Sequence, residues 1–177
     1  MKNAFLIGER IYLRPLEKSD APVLQPYIND PEVTRTLTIH RPVNLELELE
    51  FIERAAKGEK DIILGIAIKV DDKLIGATGL HGLDFKDRKA ELGISIGAKE
   101  EWNKGYGTEA LRLMVRYGFL TLNLNRVFLR VFEHNARAMH VYQSIGFRKE
   151  GLLRQDFYRE GRYWDTVLMA ILREKEL

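Results

Sequence analysis

Apolar and polar positions alternate along "RIYLR" at residues 10 to 14, which predicts a strand. Directly after it, "SDAPVLQPYIND" carries a helix start, with Ser19 or Asp20 as cap and a proline in the first turn. A second helix is predicted over "LELELEFIERAAKG": Asn44 precedes it as a cap, Leu47, Phe51 and Ala55 share one face, and Gly58 stands just past its end. The stretches "DIILGIAIKV", "KLIGATGLHGL" and "KAELGISIG" are short, β-branched and bounded by turn residues, so they read as consecutive strands of a meander. From residue 110 the period changes. Ala110, Leu111, Met114, Val115, Phe119 and Leu122 mark one helical face. "RVFLRVF" is then a strand, "NARAMHVYQSIGF" a short helix ending at Gly146, and "EGLLRQDFYREGRYWDTVLMAI" a pair of strands turning at Glu160 and Gly161. Together these elements predict a mixed α/β domain, its central sheet largely antiparallel and flanked by helices.

Composition narrows the class without naming a chemistry. A chain of 177 residues is most simply one domain spanning 1–177. With 45% hydrophobic and 31% charged residues it is patterned as a soluble globular protein, with no membrane partner expected. The opening "MKNAFLIGERIYLRPLE" meets charge at Glu9 and Arg10, too early for a signal h-region, so secretion is not expected. The chain has no cysteine, which excludes a disulfide framework, a thiol nucleophile and a thiolate metal site. A reducing cytoplasm fits that usage, and no metal is called for. The net charge of +2 is too small to argue for nucleic acid by itself.

The chemistry lies in "WNKGYGTEA", residues 102 to 110, where Gly105 and Gly107 stand at the mouth of the long predicted helix. Free backbone N–H groups at a helix N-terminus point outward and the dipole adds positive potential, so strand, glycine turn and helix together make an anion site. The spacing is neither that of a Walker loop nor that of the dinucleotide fingerprint. It resembles the pyrophosphate loop of the GCN5-related N-acetyltransferases, in which Gln or Arg, two residues, Gly, one residue and Gly or Ala follow in order. Trp102 stands where many members have Gln or Arg. That departure is similar to the branch of ribosomal-protein alanine acetyltransferases and spermidine acetyltransferases. The resemblance extends over nearly the whole chain, through "RIYLRPLEKSDA", "AELGISIG", "NARAMHVYQSIGF" and "EGLLRQDFYREGRYWD".

The resemblance implies a fold in which "GISI", residues 93 to 96, splays away from "RVFLRVF" to form an acetyl-CoA cleft. Ile94, Ser95 and Ile96 would then offer backbone groups to pantetheine, and Lys104, Gly105, Tyr106, Gly107 and Thr108 would wrap the pyrophosphate. Asn135 caps the following helix on local grounds; by analogy with the family it also reaches the cofactor, with Ala138 beside it. Tyr142 takes the family position of the general acid, donating to the departing thiolate as the amine attacks the thioester. The amine must also lose a proton. Glu91, opening the cofactor strand, is the first choice of base, and His81 in "GLHGLD" is the second and lies on the acceptor side. Other relatives use a glutamate on the next strand; Arg130 holds that place here.

The resemblance implies direct transfer of acetyl from acetyl-CoA to a primary amine. Polyamine enzymes need clustered carboxylates, in which "TGLHGLDF" and "TRTLTIHRP" are poor. A protein N-terminal α-amine is therefore preferred to a spermidine-like polyamine, and it is also easier to deprotonate, with a pKa of about 8 against about 10. Two other classes compete: a non-catalytic acyl-CoA sensor, against which Tyr142 speaks, and an RNA-binding module built on Arg148, Arg154, Arg159 and Arg162. Solvated strand faces account for those arginines. The closing hairpin offers an edge for a homodimer.

Overall fold

The chain starts with a two-residue strand, β1 (Leu6–Ile7), paired antiparallel with β2 (Ile11–Pro15); the computed structural model describes residues 1–173. There follow α1 (Ala21–Asn29), the single turn α2 (Pro31–Thr34) and α3 (Leu45–Lys57). The meander is β3 (Ile62–Ile68), β4 (Leu74–Asp84) and β5 (Lys89–Ile96). Then α4 (Tyr106–Leu120), β6 (Arg126–Phe132) and α5 (Ala136–Ser144) alternate, and β7 (Arg148–Arg159) and β8 (Arg162–Leu172) close the fold as a hairpin. Glu160 and Gly161 both take positive φ at its tip, as a type I′-like turn requires.

Among the described residues eight strands share one sheet in the order β1-β2-β3-β4-β5-β6-β8-β7. Only β5 and β6 run parallel, and their register covers just Lys89↔Arg126, Ala90↔Val127 and Glu91↔Phe128. Beyond that point β6 continues against β8 through Phe132↔Thr166 while β5 continues against β4 through Gly76↔Ile96. The splay expected of "GISI" is therefore present. The core lies between the sheet and α4, whose Ala110, Leu111 and Met114 are buried with Ile11, Leu13, Ile66, Leu80 and Leu129.

Three readings of the sequence change. β1 and α2 were not foreseen, because two and four residues are too short to carry a period. Asn44 caps α3 as expected, its side chain accepting from the Leu47 N–H at 2.9 Å, but the buried face is Glu48 and Ile52 rather than Leu47 and Phe51. Asp20 precedes α1 without capping it. Its carboxylate instead takes a bidentate fork from Arg14 at 2.7 and 2.8 Å and the Glu17 N–H at 2.8 Å.

That ion pair is buried, and removing one partner would strand the other. Arg14→Ala should cost about 3–5 kcal/mol of unfolding free energy, read by urea titration. Burial alone would raise the Asp20 carboxyl, but the Arg14 fork and the Glu17 N–H outweigh it and hold the group below its ordinary value. A depressed native pKa gives stability that is full above the unfolded value, about 3.9, and lost as pH falls through the native value. The wild type should lose stability steeply below about pH 4. Arg14→Ala, already lacking the pair, should lose less over the same interval.

Candidate active site

The gap between β5 and β6 opens into a cleft of about 600 Å³. Its walls include Ile94, Ser95 and Ile96 from β5, Gly105, Tyr106, Gly107 and Thr108 at the mouth of α4, and Asn135, Ala138 and Tyr142 on α5. These are residues the sequence singled out, and the fold gathers them from three separate segments of the chain.

At the α4 end, Gly105 adopts φ +84°, the left-handed region that glycine enters without steric cost. The first intrahelical bond is from Glu109 N–H to the Gly105 carbonyl. The N–H groups of Tyr106, Gly107 and Thr108 therefore have no helix partner. No side chain caps them, so the loop presents donors and the positive end of a fifteen-residue helix to the cleft. Glu109 fixes the loop from behind: its Oε1 accepts the N–H of Arg10 at 2.9 Å, and Arg10 Nη1 donates to the Lys104 carbonyl at 2.8 Å.

Along β5 the backbone alternates. Thr78 Oγ1 donates to the Gly93 carbonyl at 2.8 Å, and a Cβ added to Gly76 would collide with the Ser95 carbonyl, so both carbonyls lie toward β4. By the two-residue period the backbone groups of Ile94 and Ile96 turn to the gap. The indole Nε1 of Trp102 donates to the Ile96 carbonyl at 2.8 Å. This explains the tryptophan in place of the family's Gln or Arg: it ties the loop to the end of β5. Its ring also carries the Arg137 guanidinium at 5.2 Å, joining loop to α5 across the cleft. Arg137 was not singled out from the sequence, where it is one more helical arginine.

Asn135 uses its Oδ1 to cap α5 through the Ala138 N–H at 3.1 Å, leaving its amide nitrogen for any ligand. Tyr142 is 9% exposed and burial pushes its phenol up to about 12. The group is thus a neutral O–H donor across the whole working range of an enzyme.

A second cavity of about 630 Å³ is lined by β4 and β5 together with α1 and α3. It shares Leu37, Ile94 and Ser95 with the first, so the two meet at the splayed strand. His81 lines it, and a Cβ on Gly79 or Gly93 would stand 3.1 or 3.2 Å from the imidazole Nε2. Those glycines make the floor on which the ring lies. Its Nδ1 is 3.6 Å from Asp61.

Two sequence-predicted residues fall elsewhere. Lys104 lines neither cavity; its ammonium is 2.8 Å from Glu101. Glu91 also lines neither, and its carboxylate is held by Arg130 through bonds of 2.9 and 3.1 Å. The carboxylate expected to act as base is thus engaged by the guanidinium on β6 and stands outside the two cavities. Glu91→Gln should give a pH–rate profile parallel to wild type from about pH 6 to 9.5, the interval that brackets α-amine titration. A defect confined to low pH would establish the base role.

An open helix mouth, a free strand edge and a buried phenol lining one cleft are what an acyl-CoA-dependent transferase needs. Comparison with known proteins agrees. The model of the acetyltransferase (GNAT) domain matches residues 10–148, and the chain belongs to that family. It is an N-acetyltransferase that uses acetyl-CoA. Among its relatives, the uncharacterized N-acetyltransferase p20 of Bacillus licheniformis is 33% identical over 96% of this chain and 97% of its own. The spermidine N(1)-acetyltransferase of Escherichia coli (strain K12) is 29% identical over 94% of this chain and 88% of its own. The crystal structure of the Vibrio cholerae spermidine N-acetyltransferase in complex with CoA and spermine superposes with a TM-score of 0.86 at 27% identity, covering 92% of this chain and 95% of that one.

Proposed function

We propose that acetyl-CoA lies in the first cleft with its pyrophosphate on the N–H groups of Tyr106, Gly107 and Thr108 and its pantetheine along the Ile94 edge. The acceptor comes through the second cavity as a primary amine bearing one positive charge, foremost the α-amine of a protein N-terminus. The observation that carries this reading is the junction of the two cavities at Leu37, Ile94 and Ser95, beside which Tyr142 lines the acyl-CoA side. An amine arriving there lies against the strand that both cavities share, beside the position proposed for the thioester. His81 lies in the acceptor cavity and helps seat the amine.

Transfer needs no covalent enzyme intermediate. The neutral amine attacks the thioester carbonyl, the C–N bond forms, the C–S bond breaks, and charge collects on sulfur. A thiol has a pKa of roughly 8.5, well below the Tyr142 phenol at about 12. Full proton transfer from phenol to thiolate is thus uphill, and Tyr142 acts by donating a hydrogen bond while the proton shed by the attacking nitrogen neutralises the thiolate.

A polyamine acceptor is the second reading, favoured by the spermidine acetyltransferases among the relatives. Against it, the acceptor cavity is walled by Leu24, Ile28, Val43, Leu47, Phe51 and Ile63, whereas several ammonium groups need several carboxylates. One assay separates the two. Purified protein with acetyl-CoA should acetylate peptides with a free N-terminus faster than spermidine, detected by mass; the reverse order establishes the polyamine, and no turnover with either removes both.

A further inference from the structure

The acceptor cavity contains a carboxylate that no part of the fold explains. Glu48 lies on the first turns of α3, is 5% exposed and lines the second cavity. Charged side chains are almost never buried to this degree unless paired. Here no hydrogen bond or ion pair reaches the carboxylate among the described residues, and burial is the sole cause that pushes it above its ordinary value. The other titratable groups on the cavity wall are Tyr27 of α1, Arg54 of α3 and His81 of β4. Arg54 turns outward to Glu50 at 3.8 Å, and His81 turns to Asp61 at 3.6 Å. A single unpaired carboxylate thus sits among aliphatic and aromatic walls, at some cost to the folded state.

We propose that Glu48 receives the ammonium of the acceptor amine. The inference rests on the reading of the second cavity as the acceptor site and adds the group that recognises the substrate there. An incoming cation supplies the partner that the fold omits, and the surrounding apolar walls select an amine borne on an uncharged body. The same partial desolvation serves reactivity. Burial disfavours both charged forms, so the pair R–NH3⁺ and Glu48 carboxylate passes to R–NH2 and Glu48 carboxylic acid. One proton moves from nitrogen to oxygen, and the lone pair is freed for attack. After transfer the product amide has no charge to hold it, and Glu48 returns its proton to solvent as the product departs.

The alternative is a carboxylate kept for structure. A structural carboxylate must stabilise the fold, whereas a carboxylate waiting for a ligand must burden it. Glu48→Met, unbranched and of similar volume, should therefore raise the melting temperature of the free protein by roughly 2–4 °C. Glu48→Gln should raise the KM of the amine tenfold or more while leaving the KM of acetyl-CoA unchanged, about the effect of losing one charge-assisted hydrogen bond. The probes are an alanine-initiated tetrapeptide and spermidine. If wild type acetylates either and Glu48→Gln matches its amine KM, the assignment of Glu48 is overturned while the acceptor reading stands. If wild type acetylates neither, the acceptor reading fails, and the melting arm still decides: a Glu48→Met protein less stable than wild type makes the residue structural and overturns the proposal.

Discussion

Replacing Tyr142 by phenylalanine should slow acetyl transfer about a hundredfold, the lower end of the range for acid–base assistance. The lower end is expected because the phenol, at about 12, is too weak an acid to hand its proton over outright. Hydrogen-bond donation to sulfur is what the variant loses. The ring remains buried against the Phe147 ring, 5.9 Å between centroids. Burial alone accounts for the raised phenol, so no internal partner is broken. Coenzyme A affinity and melting temperature should stay at the wild-type values. Steady-state kinetics beside calorimetry and thermal melting checks all three. Full activity in the variant would remove Tyr142 from the chemistry, and loss of activity in step with loss of fold would make it a core residue only.

Gly107→Val should weaken coenzyme A binding at least tenfold, about 1.4 kcal/mol, without unfolding the protein. Of the two loop glycines this is the cleaner test. Gly105 carries φ +84° and an added Cβ would stand 3.0 Å from Arg10 Nη2, so a substitution there strains the backbone as well as the site. Gly107 lies within α4, where a Cβ meets only Ile94 Cδ1 at 3.7 Å and Ile96 Cγ1 at 3.8 Å, ordinary contacts. Valine fits the helix but sets its methyls over the mouth of the cleft and beside the exposed N–H groups. Calorimetric titration with coenzyme A measures the loss, and unchanged affinity would overturn the phosphate-loop assignment.

How legible the site was depends on the range of the interactions that build it. The glycine loop, the α4 face and the Asn135 cap are local, and the period or the cap position shows them directly. Trp102 could be seen as a departure, but its reason, a bond to the Ile96 carbonyl, needs the loop folded back on β5. Glu91 looked free because Arg130 comes thirty-nine residues later and reaches it only through the parallel pairing of β5 and β6. Asp20 was read as a cap for the same reason, its Arg14 partner lying across a turn. In α3 the run "LELELE" has a period of two, so the helical face was ambiguous by one position. Leu47 and Phe51 line the second cavity, and Glu48, which any composition rule sends to solvent, is buried instead.

The three-residue register between β5 and β6 has a mechanical meaning. Among the described residues eight strands form one sheet, yet β5 and β6 pair over only three positions at its centre, and beyond them β1 to β5 and β6 to β8 diverge as two leaves over one shared core. A ligand lying in that seam bonds to one leaf through β5 and the other through α5. Its affinity is then also cohesion, spent on joining parts the backbone leaves apart. A donor bound there would join the two leaves more firmly than the pairing of β5 and β6 does alone, and its release would undo that join.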